Sequence, residues 1–459
     1  MSFGSKILKY QDDILKDMEE LIAIPSVRGE AEEGMPFGKE PAKALNCILA
    51  MAEKMGFATK NIGNYAGHAE YGEGEEVAAV VTHVDIVPEG EGWDTDPFTL
   101  TRKGNLYFAR GSADDKGAAV AALYCLKVLK DENIKPKRRM RAIFGAGEET
   151  GSNDLEMYLE SEQMPVMAFT PDSDYGICNR EKGLLRLRIA EKQNDSSVIR
   201  KLTAGIVVNA VPSKATAFIA CEENQCAAVE QAAEEAQGHF SFIRTGEGLE
   251  ITSTGTASHA MQPQEGFNAA THLLKLLEKV FSPKELGTMV SFINTFIGTE
   301  LHGESLGIQT SDEESGPLTL NLGLVDIDSD EVSIGIDIRY PVTADGDSVL
   351  AEITKKAEAS GLAVTIISYE KPLFLPENSP FISLLKNAYE EVTGEAPTVY
   401  ATGGGTYARA FKGHAVAFGP LFPEEPDRRL HNTNENIDIE YFMLHAQICL
   451  EAMYRMFTE

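Results

Sequence analysis

The sequence predicts an α/β protein, with a mixed, partly parallel sheet flanked by helices and an inserted α+β domain. Three observations lead there. Val77-Ala78-Ala79-Val80-Val81-Thr82 is a near-continuous apolar run, as expected of a strand buried on both faces. Runs of this kind alternate with helical periodicity up to residue 184 and again from 379 onward. Between them the texture changes: Leu185, Leu187 and Ile189 alternate with Arg186 and Arg188, the period-two pattern of a half-buried strand. With 459 residues the chain is also too long for one ordinary core. The expected organisation is one α/β domain formed by residues 1–184 and 379–459, split by an inserted domain over 185–378.

In chain order, Ile7, Ile14, Leu15, Met18, Leu21 and Ile22 mark one helical stripe, which Pro25 ends. A second helix opens near Pro41 and stops at Gly56. The Val77 run ends in His83-Val84-Asp85, and an Ala-rich helix covers Ala118 to Lys130. Met140 to Phe144 reads as a strand ending in Gly147-Glu148-Glu149, and Val166 to Phe169 as another ending at Pro171-Asp172. In the insert, strands are expected at Ile206–Val208, Ala217–Ile219, Leu249–Ile251, Leu318–Leu324, Val332–Tyr340 and Leu362–Ser368, with a helix over Phe267–Phe281. A helix over Pro380–Thr393, the loop Gly403-Gly404-Gly405, a strand at Ala415–Phe418 and a helix from Ile439 to Phe457 complete the chain.

Seventy-one acidic against 41 basic residues give a net charge of −30. That argues against nucleic acid and anionic membranes as partners and favours cations in a cleft. The start has no apolar h-region, and no run of about 18 apolar residues occurs. Cys47, Cys125, Cys178, Cys221, Cys226 and Cys449 form no C-x-x-C pair, so they read as reduced and mostly buried. The expectation is a cytoplasmic enzyme.

Chemistry concentrates where strands end. In open α/β sheets, sites form at the carboxyl ends of the strands. His83 and Asp85, Glu148 and Glu149, and Asp172 occupy such ends, and His431 follows the last strand. Asp114, in Gly111-Ser112-Ala113-Asp114-Asp115-Lys116-Gly117, sits at a helix start, where a carboxylate can bridge two cations. Mixed imidazole and carboxylate ligands suit zinc, manganese or cobalt better than magnesium. Asp85 lies two residues from His83 and can fix its tautomer. Glu148 and Glu149 are neighbours in an extended turn and point different ways, so one can bind metal while the other serves as general base. Asp174 competes with Asp172, which follows its strand directly. His414 competes with His431, but it precedes its strand and would sit at the wrong end. His68, His239, His272, His302 and His445 lack acidic-ligand context and receive no site role.

With these residues in hand, the chain resembles the dinuclear-zinc metallopeptidases that include aminoacylase, glutamate carboxypeptidases and succinyl-diaminopimelate desuccinylase. It is most similar to the PepV-type bacterial dipeptidases among them. Thr82-His83-Val84-Asp85-Ile86-Val87-Pro88, Gly111–Gly117, Glu148-Glu149-Thr150-Gly151-Ser152 and Pro171-Asp172 match the family's motifs in order and spacing. The resemblance implies that His83 and Asp172 hold one metal, Glu149 and His431 the other, with Asp114 bridging and followed by a cis peptide. It makes Glu148 the general base and Asp85 the residue that orients His83. In the lid, His259 resembles an oxyanion-stabilising histidine and Arg339 the arginine that grips the substrate carboxylate. Asn209 resembles a lid asparagine near the substrate, and Gly403, Gly404 and Gly405 a backbone loop lining the pocket. The insert is larger than the lid of most relatives, which dimerise and lend their histidine to a partner. It matches the enlarged PepV-type lid, which closes over its own active site, so His259 is expected to act within its own chain and a monomer is compatible.

The reading is a dipeptidase with two divalent cations, zinc first and manganese or cobalt as alternatives, acting on dipeptides with a free carboxylate. The enzyme alternative is an aminoacylase-like N-acyl amino-acid amidohydrolase. The other alternative is a degenerate member that binds without catalysis.

Overall fold

Val77–His83 (β1) is buried along its whole length. The reason is visible in the computed structural model, which describes residues 2–151, 153–191, 197–328 and 332–459. Ala78 and Val80 pack into one core and Ala79 and Val81 into another, so both faces of the strand are covered. Ser152, the last residue of the third motif, lies outside the described residues, as does Met1.

The chain forms two units: Met1–Arg180 with Leu373–Tyr400 and Gly405–Glu459, and Glu181–Pro372 with Ala401–Gly404. In the first unit, β1 runs parallel to Arg139–Gly145 (β2) on one side and to Met167–Thr170 (β3) on the other. Ala415–Phe418 (β4) continues the parallel layer beside β3. Antiparallel strands close both flanks: Ala66–Tyr71 and then Ala58–Ile62 beyond β2, and Ile177–Glu181 beyond β4. One sheet face is covered by the helices Gln11–Ile22, Lys39–Lys54, Lys116–Asp131 (α1) and Ile439–Thr458. The run of alanines in α1, Ala118, Ala119, Ala121 and Ala122, is buried there. The opposite face carries Leu155, Tyr158, Tyr407 and Phe411.

The second unit is α+β. Its main sheet has eight strands, all antiparallel, with Ile199–Ala204 and Thr319–Ile327 at the centre and Val332–Tyr340 and then Gly183–Glu191 following toward one edge. Leu185, Leu187 and Ile189 point into a core shared with the helices Ala269–Glu278 and Gly346–Ala359, which explains their alternation with arginines.

Three sequence expectations are overturned. Ile206–Val208 is a turn rather than a strand; Ile206 is 95% exposed, and the strand lies earlier, at Ile199–Ala204. Gly205, at φ +81°, ends that strand, a conformation that β-branched propensity further along cannot override. Glu148–Thr150 is a 3₁₀ turn rather than an extended one, closed by Gly151 at φ +61°. Cys221 and Cys226 form a disulfide, because the start of the helix Glu223–Glu234 brings their Cα atoms to 6.0 Å. Cys125, Cys178 and Cys449 are buried thiols, and Cys47 is half-buried.

Candidate metal centre

The carboxyl ends of β1, β2 and β3 deliver His83, the Glu148–Glu149 turn and Asp172 to one place, all within the first unit. Asp114, just before α1, stands between two imidazoles. Its Oδ1 lies 3.0 Å from His83 Nε2 and its Oδ2 3.1 Å from His431 Nε2. His431 Nε2 is also 3.1 Å from Glu149 Oε2. Ligand atoms of His83, Asp114 and Glu149 all lie within 4.8 Å of one another, as do those of His83, Glu148 and Asp172. Asp174 belongs to neither group and is exposed. His414 is exposed at the amino end of β4.

His83 and the Glu148–Glu149 turn are held by their neighbours. His83 Nδ1 faces the backbone carbonyl of Asp85 at 3.1 Å. A carbonyl only accepts, so Nδ1 carries a proton and Nε2 is the nitrogen offered to a cation. The Asp85 carboxylate is 3.4 Å from the same nitrogen, but its two oxygens accept the backbone N–H groups of Glu148 and Glu149. Asp115, which sequence reasoning passed over, accepts the backbone N–H of His83 at 3.2 Å. The Asp114–Asp115 peptide is cis. His431 sits at φ +55°, in the left-handed region that non-glycine residues rarely occupy.

The electrostatics call for cations. Two imidazoles face four carboxylates, those of Asp114, Glu148, Glu149 and Asp172. The nearest basic residues in sequence are engaged elsewhere: Lys116 Nζ donates to the carbonyls of Leu21 and Ile24, and Arg110 pairs with Glu435. Burial, then the Asp172 charge, hold the Glu148 carboxyl well above its usual range. Burial, then the Asp114 charge, do the same to Asp172. Burial opposes the protonated form of His83, but hydrogen bonds to Asp114 and Asp85 outweigh it and raise its pKa well above normal. Hydrogen bonds to Asp114 and Glu149 push His431 up to about 10. Burial works against ionised Asp114, yet its bonds to His431 and His83 keep it below the usual carboxylate range. Glu148 and Asp172 are raised together with both histidines, which marks excess negative charge that divalent cations relieve. The donor set therefore fits two of them.

A groove of about 610 Å³ adjoins this centre, walled by Val27, Ile86, Val87, Pro88, Glu149 and Thr150.

The second unit holds its own polar cluster. Arg339 directs Nε and one NH2 proton at the two oxygens of Asp337, at 2.5 and 3.0 Å, and donates NH1 to the Gly403 carbonyl at 2.9 Å. Asp337 is completely buried and also accepts from Arg186 at 2.8 Å. His259 Nδ1 accepts the backbone N–H of Met261 at 3.1 Å, which fixes the neutral ring as the Nε2–H tautomer. Burial, then the Arg339 charge, lower the His259 pKa. The carbonyl of Asn209 accepts the N–H of Ala260, next to His259. Gly403 and Gly404 belong to this unit and Gly405 to the first.

Two buried supports near the metal centre escaped sequence reasoning. Asp154 accepts the N–H groups of Ala146 and Gly147 and the hydroxyl of Tyr407, and the Tyr407 ring meets His83 edge-on at 6.2 Å. Glu435 binds the Asp114 loop. Only its closeness to His431 in the chain could have drawn attention to it.

The family model described as "Peptidase family M20/M25/M40" matches residues 79–455. "Putative dipeptidase YtjP" of Bacillus subtilis is 34% identical over 467 aligned positions, covering 99% of this chain and 100% of the relative. "Putative dipeptidase SH1171" of Staphylococcus haemolyticus is 32% identical, with 99% of each chain covered. Among solved structures, the dipeptidase Dug1p of Saccharomyces cerevisiae superposes with a TM-score of 0.60 at 14% identity, covering 100% of this chain and 98% of that one. The metallo-carboxypeptidase Sso-CP2 of Sulfolobus solfataricus gives 0.60 at 18% identity, with 96% and 99% covered. At those identities the two structures speak for a shared fold.

Proposed function

This chain belongs to peptidase family M20/M25/M40 and is a metallopeptidase, and on that premise we propose that it is a two-metal dipeptidase. One observation carries the reading: the Asp114 carboxylate reaches His83 with one oxygen and His431 with the other. In this proposal His83 and Asp172 would hold one cation and Glu149 and His431 the second, with Asp114 serving both. Zinc comes first, with manganese or cobalt as alternatives. When bound, the pair supplies an acidified water and an electrophile for the peptide carbonyl.

The remaining work falls to side chains. Glu148 takes the proton from the attacking water and returns it to the leaving amine. A carboxyl whose pKa is raised by burial and by Asp172 can hold that proton between the two steps. Asp85 and Asp115 keep His83 and the Glu148–Glu149 turn in place. His259, with its proton on Nε2, donates to the developing oxyanion. Arg339, preset by Asp337 and the Gly403 carbonyl, takes the substrate's free carboxylate, with Asn209 and Gly403–Gly405 lining the pocket. A free carboxylate next to the scissile bond confines cleavage to the last peptide bond of the substrate, which in a dipeptide is its only one. A single chain working in the cytoplasm, its inserted domain serving its own site, completes the proposal.

The test is a panel of dipeptides with a free amino terminus beside their N-acetylated forms, run on chelator-stripped enzyme reloaded with zinc, manganese or cobalt. Hydrolysis of the free dipeptides, lost on stripping and regained on reloading, is expected. Preference for the acetylated forms would favour the amidohydrolase, and no hydrolysis under any metal would favour a binding protein.

A further inference from the structure

Arg110 and Glu435 have no part in the chemistry above, yet they are among the most deeply buried charges in the chain, at 1% and 0% exposure. Glu435 Oε1 accepts the backbone N–H of Ala113 at 2.9 Å and of Asp114 at 3.2 Å. Its Oε2 accepts the N–H of Gly111 at 3.1 Å and NH1 of Arg110 at 2.5 Å. Arg110 donates NH2 to the carbonyl of Asn432 at 3.1 Å, with longer contacts of 3.4 Å to those of Pro88 and Glu89. Its guanidinium lies 5.5 Å from the Trp93 ring centroid. The pair thus joins three loops: the one after His83, the one carrying Asp114 and the one carrying His431.

This geometry bears directly on the ligands. A carboxylate bound to the amide of Asp114 fixes the backbone from which that side chain projects. The same carboxylate belongs to the His431 loop, and His431 holds a left-handed conformation at φ +55° that needs outside restraint. A short ladder of Asn436–Asp438 against Leu106–Phe108 brings the two loops alongside. The ion pair then sets where their ligands stop.

We propose that Glu435 and Arg110 are positioning residues that set Asp114 against His431, so that the cation site of Asp114, Glu149 and His431, two of whose ligands stand on the loops the pair joins, depends on it more strongly than the site of His83 and Asp172, which shares only Asp114. This rests on the two-metal reading. It is tested by stripping the full-length wild type and the variant Glu435→Gln, then titrating each with zinc by calorimetry. The wild type is expected to take up two ions. Glu435→Gln should weaken one of them about tenfold to hundredfold and the other, which shares only Asp114, distinctly less. Adding His431→Ala to Glu435→Gln should cost no more than His431→Ala alone, whereas the effects of Glu435→Gln and His83→Ala should add. Wild-type affinity at both sites, or equal weakening of both with effects that add to His431→Ala, would overturn the proposal. Should Glu435→Gln fail to fold by circular dichroism, Arg110→Lys, which keeps the charge but loses the fork, is judged by the same criteria. A wild type that takes up no pair of ions would instead sink the two-metal reading.

Discussion

The carboxylate of Asp85 accepts the backbone N–H groups of both Glu148 and Glu149, each at 3.1 Å. One side chain at the end of β1 therefore aims two acidic side chains that follow β2. Its backbone carbonyl, meanwhile, receives the Nδ1 proton of His83. In Asp85→Asn the amide NH₂ would turn one acceptor into a donor facing a donor. Leaving such a buried group unmatched costs about 1–3 kcal/mol. Metal content is expected to hold while kcat/KM falls about tenfold to hundredfold, because the turn carrying Glu148 loses its mooring. Dipeptide hydrolysis beside elemental analysis of the purified variant checks this.

Glu148 stands with His83 and Asp172 in a group tight enough to chelate, so its role needs a variant that separates base from ligand. Glu148→Gln keeps the shape and an oxygen but cannot carry a proton. A general base contributes about 10²- to 10⁴-fold, and turnover should fall by that much with two metal ions still bound. Loss of an ion from the purified variant would make Glu148 a ligand and leave the base to another group.

Arg339 spends at least three of its five N–H donors on Asp337 and Gly403. The guanidinium is thus oriented before any substrate arrives. Asp337→Asn would keep one acceptor and lose the charge that orients the fork. Weakening one charge-assisted bond by about 1.4 kcal/mol would raise KM for dipeptides about tenfold, with kcat little changed. A fall in kcat at constant KM would place Arg339 in the chemical step instead.

What was legible in the sequence is what depends on local pattern. The Val77 run announced a strand covered on both faces, and both faces are covered. The parallel layer put strand ends side by side, and that alone gathers His83, Glu148, Glu149 and Asp172. The rest depends on partners far along the chain. Nothing near Asp85 reveals that its carboxylate is claimed by a turn after another strand, and nothing near Gly111 reveals Glu435. Ile206-Val207-Val208 has strand composition, but Gly205 turns the backbone before it can pair. Ala58–Ile62 and Ala66–Tyr71 lacked a clean period because the first is a largely exposed edge and the second is buried against helices. Cys221 and Cys226 looked unpaired because their closeness arises from how one helix begins.

His68 is buried beside β2, with Nδ1 2.8 Å from the Tyr158 hydroxyl and Arg141 close by. Burial, then the Arg141 charge, lower its pKa to about 4. In the unfolded chain a histidine titrates near about 6.5. Below that pH the unfolded state binds a proton that the folded state refuses until about pH 4, so the unfolded state is favoured as the pH falls. The stability His68 contributes is therefore complete above pH 6.5 and is lost on acidification toward pH 4, with a slope approaching about 1.4 kcal/mol per pH unit. His68→Gln removes the proton site and keeps a polar partner for Tyr158. Urea melts at intervals from pH 7 to pH 4.5 should show the variant losing less stability than the wild type across that window, by about 1 kcal/mol for each pH unit below 6. Parallel curves would mean that His68 takes up its proton in the folded protein, with Glu70 and Glu162 prevailing over burial.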